Sequence, residues 1–388
     1  MTPTSAGRWT EWVDDQCSIV EAAGQWRRVV AYDSDGVRGH LGAGDAVVSY
    51  ASNDYLGLTQ HPMVKAAAHE AIDRWGTGSG AARLTVGSRP IHHQLEAELA
   101  DWKHSESAVV FPTGFAANLG LLTALGTASA TIFSDELNHA SIIDGARLAH
   151  ADVQVYRHGD VEHLVALLDA TRDRRALVIT DLVFSMDGDR APALDLIEVC
   201  RHHGALLVLD EAHAVLGPDL DAGELEGVDV LRMGTLSKTL GSLGGFVAGP
   251  RRVTDLLVNR ARPFIFTTAP TPADTAAARA ALAIVASTEG DRLRDRLRGH
   301  VDHLAPGWGS PILPVVIGEE AEAVRAATGL LAGGALVPAI RPPTVPPGSS
   351  RLRIALSAAH THDEIARLAK LLADAGLDLD VTLPRAEP

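Results

Sequence analysis

Cysteine is scarce in this chain of 388 residues, which carries only Cys17 and Cys200. Two thiols cannot make a disulfide framework or a cysteine-rich zinc site, and such sparing use suits a reducing, cytoplasmic setting. Metal-type histidine spacing is also missing. The pairs His92-His93 and His202-His203 are adjacent and no H-E-x-x-H occurs, so no metal centre is expected. Basic residues are outnumbered, 34 Lys and Arg against 49 Asp and Glu, giving a net charge of −15. That balance argues against a nucleic-acid surface but allows a local basic cleft for an acidic ligand. No apolar run reaches the length of a membrane span, because the best candidate, Ala276 to Ala286, is short and contains Arg279. Met1 to Glu11 lacks the apolar stretch of a secretory signal. Two nucleotide motifs fail too. There is no G-x-x-x-x-G-K-[ST], and Gly76-Thr77-Gly78-Ser79-Gly80-Ala81 follows a helical pattern (His61–Trp75) where a dinucleotide site needs a strand. A glycine-rich active-site loop fits that stretch better.

What the chain has is apolar material in order. Hydrophobic residues make up 46% and charged residues 21%, enough for a large core spread over two or three domains. Short apolar runs at Ala108–Phe111, Thr131–Phe133, Val153–Tyr156, Ala176–Thr180, Ala205–Leu209, Val230–Met233 and Gly245–Ala248 read as strands. Helical patterns separate most of them: Phe115–Leu125, Ala140–His150, Val161–Ala170 and Leu194–His203. Continuous apolar strands alternating with helices predict a largely parallel sheet covered on both faces. The last two strands are too close for a helical crossover, so one of them is expected to run antiparallel or to lie apart from its neighbour in sequence. The tail reads as helices Pro272–Ser287 and Asp291–Leu304, strand Ile312–Ile317, helix Ala321–Leu331, a stiff proline loop Arg341–Gly348, an alternating strand Arg351–Ser357 and helix Asp363–Ala375. The expected organisation is an N-terminal helix and hairpin over 1–50, a large α/β domain over 51–270 and a smaller α+β domain over 271–388.

Four stretches carry chemistry. Thr235-Leu236-Ser237-Lys238 follows a buried strand and precedes Gly241, Gly244 and Gly245. A lysine at the mouth of a sheet, among apolar neighbours, can lose its proton and serve Schiff-base chemistry, whereas most lysines are simply solvated. Leu206-Leu207-Val208-Leu209-Asp210-Glu211-Ala212-His213 ends an apolar strand on a carboxylate. Strand C-termini are where open parallel sheets bind ligands, and a buried carboxylate needs a cationic partner such as a pyridinium N–H; Asp210 can equally cap the following turn. Phe111-Pro112-Thr113-Gly114-Phe115 leads a strand into a helix whose free N–H groups suit a phosphate, or is a routine turn. His139, in Asn138-His139-Ala140-Ser141, opens a helix just after a strand and can stack on a planar ring or cap the helix. Ser185, in Phe184-Ser185-Met186-Asp187-Gly188, also lies at a strand end.

Taken in order, these stretches resemble the α-oxoamine synthase family of fold-type I pyridoxal-phosphate enzymes. The likeness runs through Ser52-Asn53-Asp54-Tyr55-Leu56-Gly57, Thr113-Gly114-Phe115-Ala116-Ala117-Asn118, Asn138-His139-Ala140-Ser141, Ser185-Met186-Asp187-Gly188, Asp210-Glu211-Ala212-His213, Thr235-Leu236-Ser237-Lys238 and Arg351-Leu352-Arg353-Ile354. It implies a transferase with a mainly parallel seven-stranded sheet between helices plus a smaller α+β C-terminal domain, pyridoxal 5'-phosphate as cofactor, and a homodimer with shared active sites. Members condense an amino acid with an acyl thioester and release CO2. The run Ala339-Ile340-Arg341-Pro342-Pro343-Thr344-Val345-Pro346 resembles members that join L-alanine to a pimeloyl thioester in biotin synthesis, on coenzyme A or acyl-carrier protein. The glycine-acetyl and serine-palmitoyl branches are the alternatives.

The resemblance also implies roles. Lys238 matches the Schiff-base lysine and proton-removing base, Asp210 the partner of the ring nitrogen, and His139 the ring-stacking histidine. His213 and Ser185 match ligands around the ring hydroxyl. Gly114 and Phe115 lie beside the cofactor, Thr235 matches a phosphate ligand, and Thr268 matches one donated by the second subunit. Arg353 matches the arginine that forks onto the amino-acid carboxylate, with Asn53 nearby. Arg27, or Arg28 beside it, and the loop carrying Arg341 and Thr344 are candidates for the distal end of the acyl chain. The loop Gly78-Ser79-Gly80-Ala81-Ala82-Arg83 has alanines where relatives often carry Gly or Ser, which is compatible with a methyl-bearing substrate such as L-alanine.

Overall fold

The computed structural model describes residues 8–172 and 174–379. Most of the Met1–Glu11 stretch read above for a signal, Asp173 and the last nine residues of the tail lie outside the described residues.

The N-terminal stretch begins with helix α1 (Arg8–Ala22), which has no buried residue and exposes Trp9 and Trp12, whose rings meet edge to face at 5.6 Å. Strands β1 (Tyr32–Ser34), β2 (Arg38–Leu41) and β3 (Ala46–Ser49) follow as an antiparallel meander. Helices α2 (Pro62–Trp75) and α3 (Pro90–Trp102) come next, each with proline in its first turn, where no N–H is needed.

The centre is a seven-stranded sheet. Along the chain lie β4 (Ser107–Phe111), α4 (Gly114–Leu125), β5 (Ala130–Asp135), α5 (Ala140–Leu148), β6 (Asp152–Tyr156), α6 (Val161–Asp169), β7 (Arg175–Asp181), α7 (Ala193–His203), β8 (Leu206–Asp210), β9 (Val230–Thr235) and β10 (Gly245–Gly249). The spatial order is β4-β10-β9-β8-β7-β5-β6. The strands β6, β5, β7, β8 and β9 are parallel, while β10 runs antiparallel to both β9 and β4. Both faces are covered. Leu177, Ile179, Val208 and Met233 pack under α4, and Val178, Leu207 and Leu209 pack on the other side with Leu164 and Ile197. Double coverage explains why these strands read as unbroken apolar runs. The edge strand β6 differs: Val153 and Val155 stay exposed.

Two short helices that the sequence reading left unassigned, α8 (Arg251–Arg260) and α9 (Arg262–Ile265), lead from β10 to α10 (Pro272–Val285) and α11 (Thr288–Leu304). The tail then forms β11 (Ile312–Gly318), α12 (Glu320–Ala332), β12 (Ala335–Leu336), β13 (Ala339–Ile340), β14 (Ser350–Ala355) and α13 (His362–Asp374). Strands β11, β14 and β13 make an antiparallel sheet, and the proline loop connects β13 to β14. Strand β12 leaves that group and pairs parallel with β3, stapling the two ends of the chain together. Alternation in Arg351–Ser357 predicts one wet face, yet all six residues of β14 are buried. The arginines go inward because partners wait there: Arg351 pairs with Asp187, and Arg353 bonds the Ser185 carbonyl and Asn53.

Candidate active site

Strand register brings the titratable groups together. Asp181 closes β7 and Asp210 closes β8, and the two are direct partners across the parallel pair. Both carboxylates are buried. Asp210 accepts from Asn118 on α4 at 2.8 Å and from the Ala212 N–H at 3.0 Å. It therefore caps the turn that follows β8 and is tied to α4. Asp181 accepts from the His139 N–H at 2.6 Å. Burial, then the neighbouring Asp210, pushes the Asp181 carboxyl well above its ordinary range. His139 also plays two parts: its Nδ1 caps α5 through the Ser141 N–H and lies 2.7 Å from Ser141 Oγ. Burial lowers its pKa, Asp210 opposes that shift and Lys238 adds to it.

Lys238 sits in the turn after β9. Its Nζ lies 2.8 Å from His213 Nε2. Burial pushes the amine down to about 8, against the attraction of Asp210 and Asp181 and with help from Arg353. The net shift corresponds to about 3 kcal/mol, so desolvation outweighs two carboxylates. At neutral pH roughly a tenth of such amines are uncharged, against fewer than one in a thousand for an ordinary lysine. His213 is buried, and burial followed by Lys238 and Arg353 holds its pKa well below the ordinary value. Beside it, the buried Glu211 pairs with Lys103 at 2.6 Å and with Arg232, fixing the Asp210–His213 turn to the end of α3 and to β9.

The wall toward α4 is built by close approach. Thr113 caps the helix by accepting from Ala116. Gly114 and Phe115 occupy the first turn, where N–H groups have no acceptor within the helix. A Cβ on Gly245 would meet the backbone of Gly114 at 2.6 Å, so glycine there lets this helix start lie against β10. Thr235 Oγ1 lies 2.8 Å from Ser237 Oγ and donates to the Gly244 carbonyl at 3.0 Å. Opposite, Arg353 Nη2 donates to Asn53 at 3.1 Å.

The remaining sequence candidates lie apart from this cluster. Arg27 donates to the Pro342 carbonyl at 3.1 Å and Arg341 donates to the Gly24 carbonyl at 2.8 Å, a reciprocal clasp between the N-terminal segment and the proline loop. Thr344 is exposed on that loop and donates its N–H to the Arg341 carbonyl, and Arg28 is exposed. Thr268 is exposed on the strap after α9. The next residue, Ala269, bonds the Ala81 carbonyl, and Ser79 donates to the Pro270 carbonyl at 2.6 Å, so this strap braces the glycine-rich loop. Sequence reading missed Asp181, Tyr55, Asn118 and Ser141. The first had a visible signal: Leu-Val-Ile-Thr-Asp and Leu-Leu-Val-Leu-Asp are two apolar strands ending alike.

An amine of lowered pKa, a buried carboxylate, an imidazole at a helix start, free helix N–H groups and a hydroxyl pair make a donor set that fits a phosphorylated pyridine aldehyde. Asn118 Oδ1, beside Asp210, is buried without a partner among the described residues. The family model for aminotransferase class I and II matches residues 45–372. The chain belongs to that family, and is a pyridoxal-phosphate-dependent enzyme. It is 50% identical over 364 residues to 8-amino-7-oxononanoate synthase of Anaeromyxobacter sp. (strain K), covering 89% of each chain. It is 46% identical to 8-amino-7-oxononanoate synthase of Methylobacterium sp. (strain 4-46), covering 92% of this chain and 94% of that one. Among solved structures it resembles serine palmitoyltransferase from S. paucimobilis, with a TM-score of 0.87, 28% identity, and coverage of 96% and 98%.

Proposed function

We propose that this enzyme condenses L-alanine with a pimeloyl thioester, on coenzyme A or acyl-carrier protein, to give 8-amino-7-oxononanoate, CO2 and free thiol in biotin biosynthesis. The observation that carries the chemistry is the half-buried Lys238 amine, 2.8 Å from His213 and brought down to about 8 by desolvation against the pull of Asp210 and Asp181. The choice of substrates is supported by relatives bearing that activity's name at 46–50% identity over about nine-tenths of the chain.

Pyridoxal phosphate, when bound, supplies an electrophilic aldehyde and an electron-poor ring that takes up charge left on the amino-acid α-carbon. Lys238 would hold the cofactor and later remove the α-proton, for which a free amine is needed. Asp210 would keep the ring nitrogen protonated, His139 would cover the ring face, and His213 and Ser185 would border its hydroxyl. Gly114, Phe115 and Thr235 would take the phosphate, with Thr268 of a second copy completing it in a homodimer. Arg353, steadied by Asn53, would fork onto the alanine carboxylate. The Arg27 and Arg341–Thr344 clasp would meet the distal carboxylate of the pimeloyl chain.

The test is amino-acid-dependent thiol release by the purified enzyme. L-alanine with a pimeloyl thioester should outrun glycine with acetyl-CoA and L-serine with palmitoyl-CoA. Preference for either of those pairs would move the enzyme to another branch of the oxoamine synthases.

A further inference from the structure

Arg353 and Lys238 stand at the two ends of one hydrogen-bonded chain, and the position of each proton in it follows from the arginine inward. A guanidinium has donors only. The Asn53 atom that Arg353 Nη2 meets at 3.1 Å is therefore the amide oxygen, which fixes an amide orientation that distance alone leaves open. The same oxygen lies 3.1 Å from the Tyr55 hydroxyl, so the hydroxyl must donate to it. A phenol has a single proton. Its oxygen can then only accept at its other contact, His213 Nδ1 at 2.6 Å, and that ring nitrogen must carry hydrogen. His213 is neutral, because burial and the nearby Lys238, Arg353 and His139 disfavour its charged form. A neutral imidazole with hydrogen on Nδ1 has a bare Nε2, and Nε2 is the atom 2.8 Å from Lys238 Nζ.

We infer that Tyr55 is a positioning residue that holds His213 in the Nδ1–H form, so that Nε2 turns a lone pair, never a proton, toward the reactive amine. Tyr55 is built for this. It is 0% exposed, its ring packs edge-on against His213 at 6.0 Å, and its backbone is pinned by the Asn53 carbonyl and the Ala358 N–H. Burial raises the phenol to about 12, so the proton stays on across the working pH range. A lone pair at Nε2 favours an amine that still bears hydrogen. The opposite tautomer would point N–H at N–H and drive the proton off Lys238. The other charged or titratable groups facing that amine are Asp210, Asp181, Arg353 and His139. The inference takes its importance from the proposed role of Lys238, but its test is independent of that role.

The test is 15N NMR of the His213 ring in the full-length chain, both cofactor-loaded and after the cofactor is removed. The native chain should show a pyrrole-type Nδ1 and a pyridine-type Nε2. Tyr55→Phe keeps the ring and removes the acceptor, so it should bring up the Nε2–H form. In the cofactor-free chain it should also lower the Lys238 pKa by about one unit, a tenfold change from one lost hydrogen bond. The chain has four lysines, so the Lys238 signal is readily assigned. Asn53→Ala removes the fixed point of the chain and should release the ring in the same way, which keeps the test alive if Tyr55→Phe does not fold. Asn53→Asp retains an acceptor and should leave the tautomer in place. A pyrrole-type Nε2 in the native chain overturns the inference. So does a Tyr55→Phe chain, or in its place an Asn53→Ala chain, whose ring and lysine behave as in the native protein. Loss of activity in Lys238→Ala reports separately on whether that amine is the reactive one.

Discussion

The strand-end cluster and the outer rim formed by the loop residues Arg27, Arg341, Thr344 and Thr268 are held by different means. Asp181 and Asp210 are fixed by strand register and buried with His213, Lys238 is half-buried beside them, and His139 stands at the mouth of the cluster, bonded through its N–H to Asp181. Arg27, Arg341, Thr344 and Thr268 stand on loops from three distant parts of the chain, partly or fully exposed. Burial tunes the first set: it brings a lysine down to about 8 and raises a carboxylate. Water screens the second set, whose geometry depends on clasps between loops. On the proposed function, the inner cluster would carry the chemistry and the loop residues would choose among substrates.

If that contrast is right, disturbing the interior should cost rate and disturbing the rim should cost affinity. Lys238→Ala should lower turnover by at least about 10³-fold and abolish stable cofactor retention, followed by visible absorption. Capture of pyridoxal phosphate by the cofactor-free native chain should speed up with pH and level off above about 8, since the amine must shed its proton first. A rate still climbing at pH 10 would falsify the burial argument. Arg353→Lys keeps the charge and loses the planar fork, so KM for the amino acid should rise roughly 10-fold or more with a smaller change in kcat. Arg341→Ala should raise KM for the acyl thioester a few-fold and leave KM for the amino acid alone; equal losses in both would remove it from the acyl end.

The weakest expected effect lies outside both regions. His158 bonds Asp135 at 3.0 Å and Asp189 at 2.8 Å. Those carboxylates overcome its partial burial and raise it to about 10. A histidine raised above its unfolded value gives stability that is complete below about 6.5 and fades as pH climbs toward 10. Native protein should therefore lose melting temperature between pH 7 and 10 by a degree or two more than His158→Gln does.

Much of this was visible in the sequence because the sheet is covered on both sides. Seven apolar runs became seven strands, and of the two outcomes that the close spacing of Val230–Met233 and Gly245–Ala248 allowed, an antiparallel strand or one set apart, β10 takes the first. The motifs around Lys238, Asp210, His139 and His213 were found because each sits where a strand ends. Asp181 was missed because its meaning depends on which strand lies beside it, and apolar runs do not state neighbours. The β3–β12 pairing escaped for a related reason: two residues are too few to show periodicity. The Arg353–Asn53–Tyr55–His213 chain joins residues up to 300 positions apart, beyond anything local spacing can express.

The facing of Asp181 and Asp210 carries an evolutionary cost. Successive residues of a strand point to opposite sides. Adding or deleting one residue anywhere in Arg175–Asp181 would therefore rotate one acid out of the cleft and thrust a hydrocarbon into its place. Lineages of this enzyme should tolerate changes in side-chain size along β7 while holding its length constant, so that its indels collect in the loops on either side.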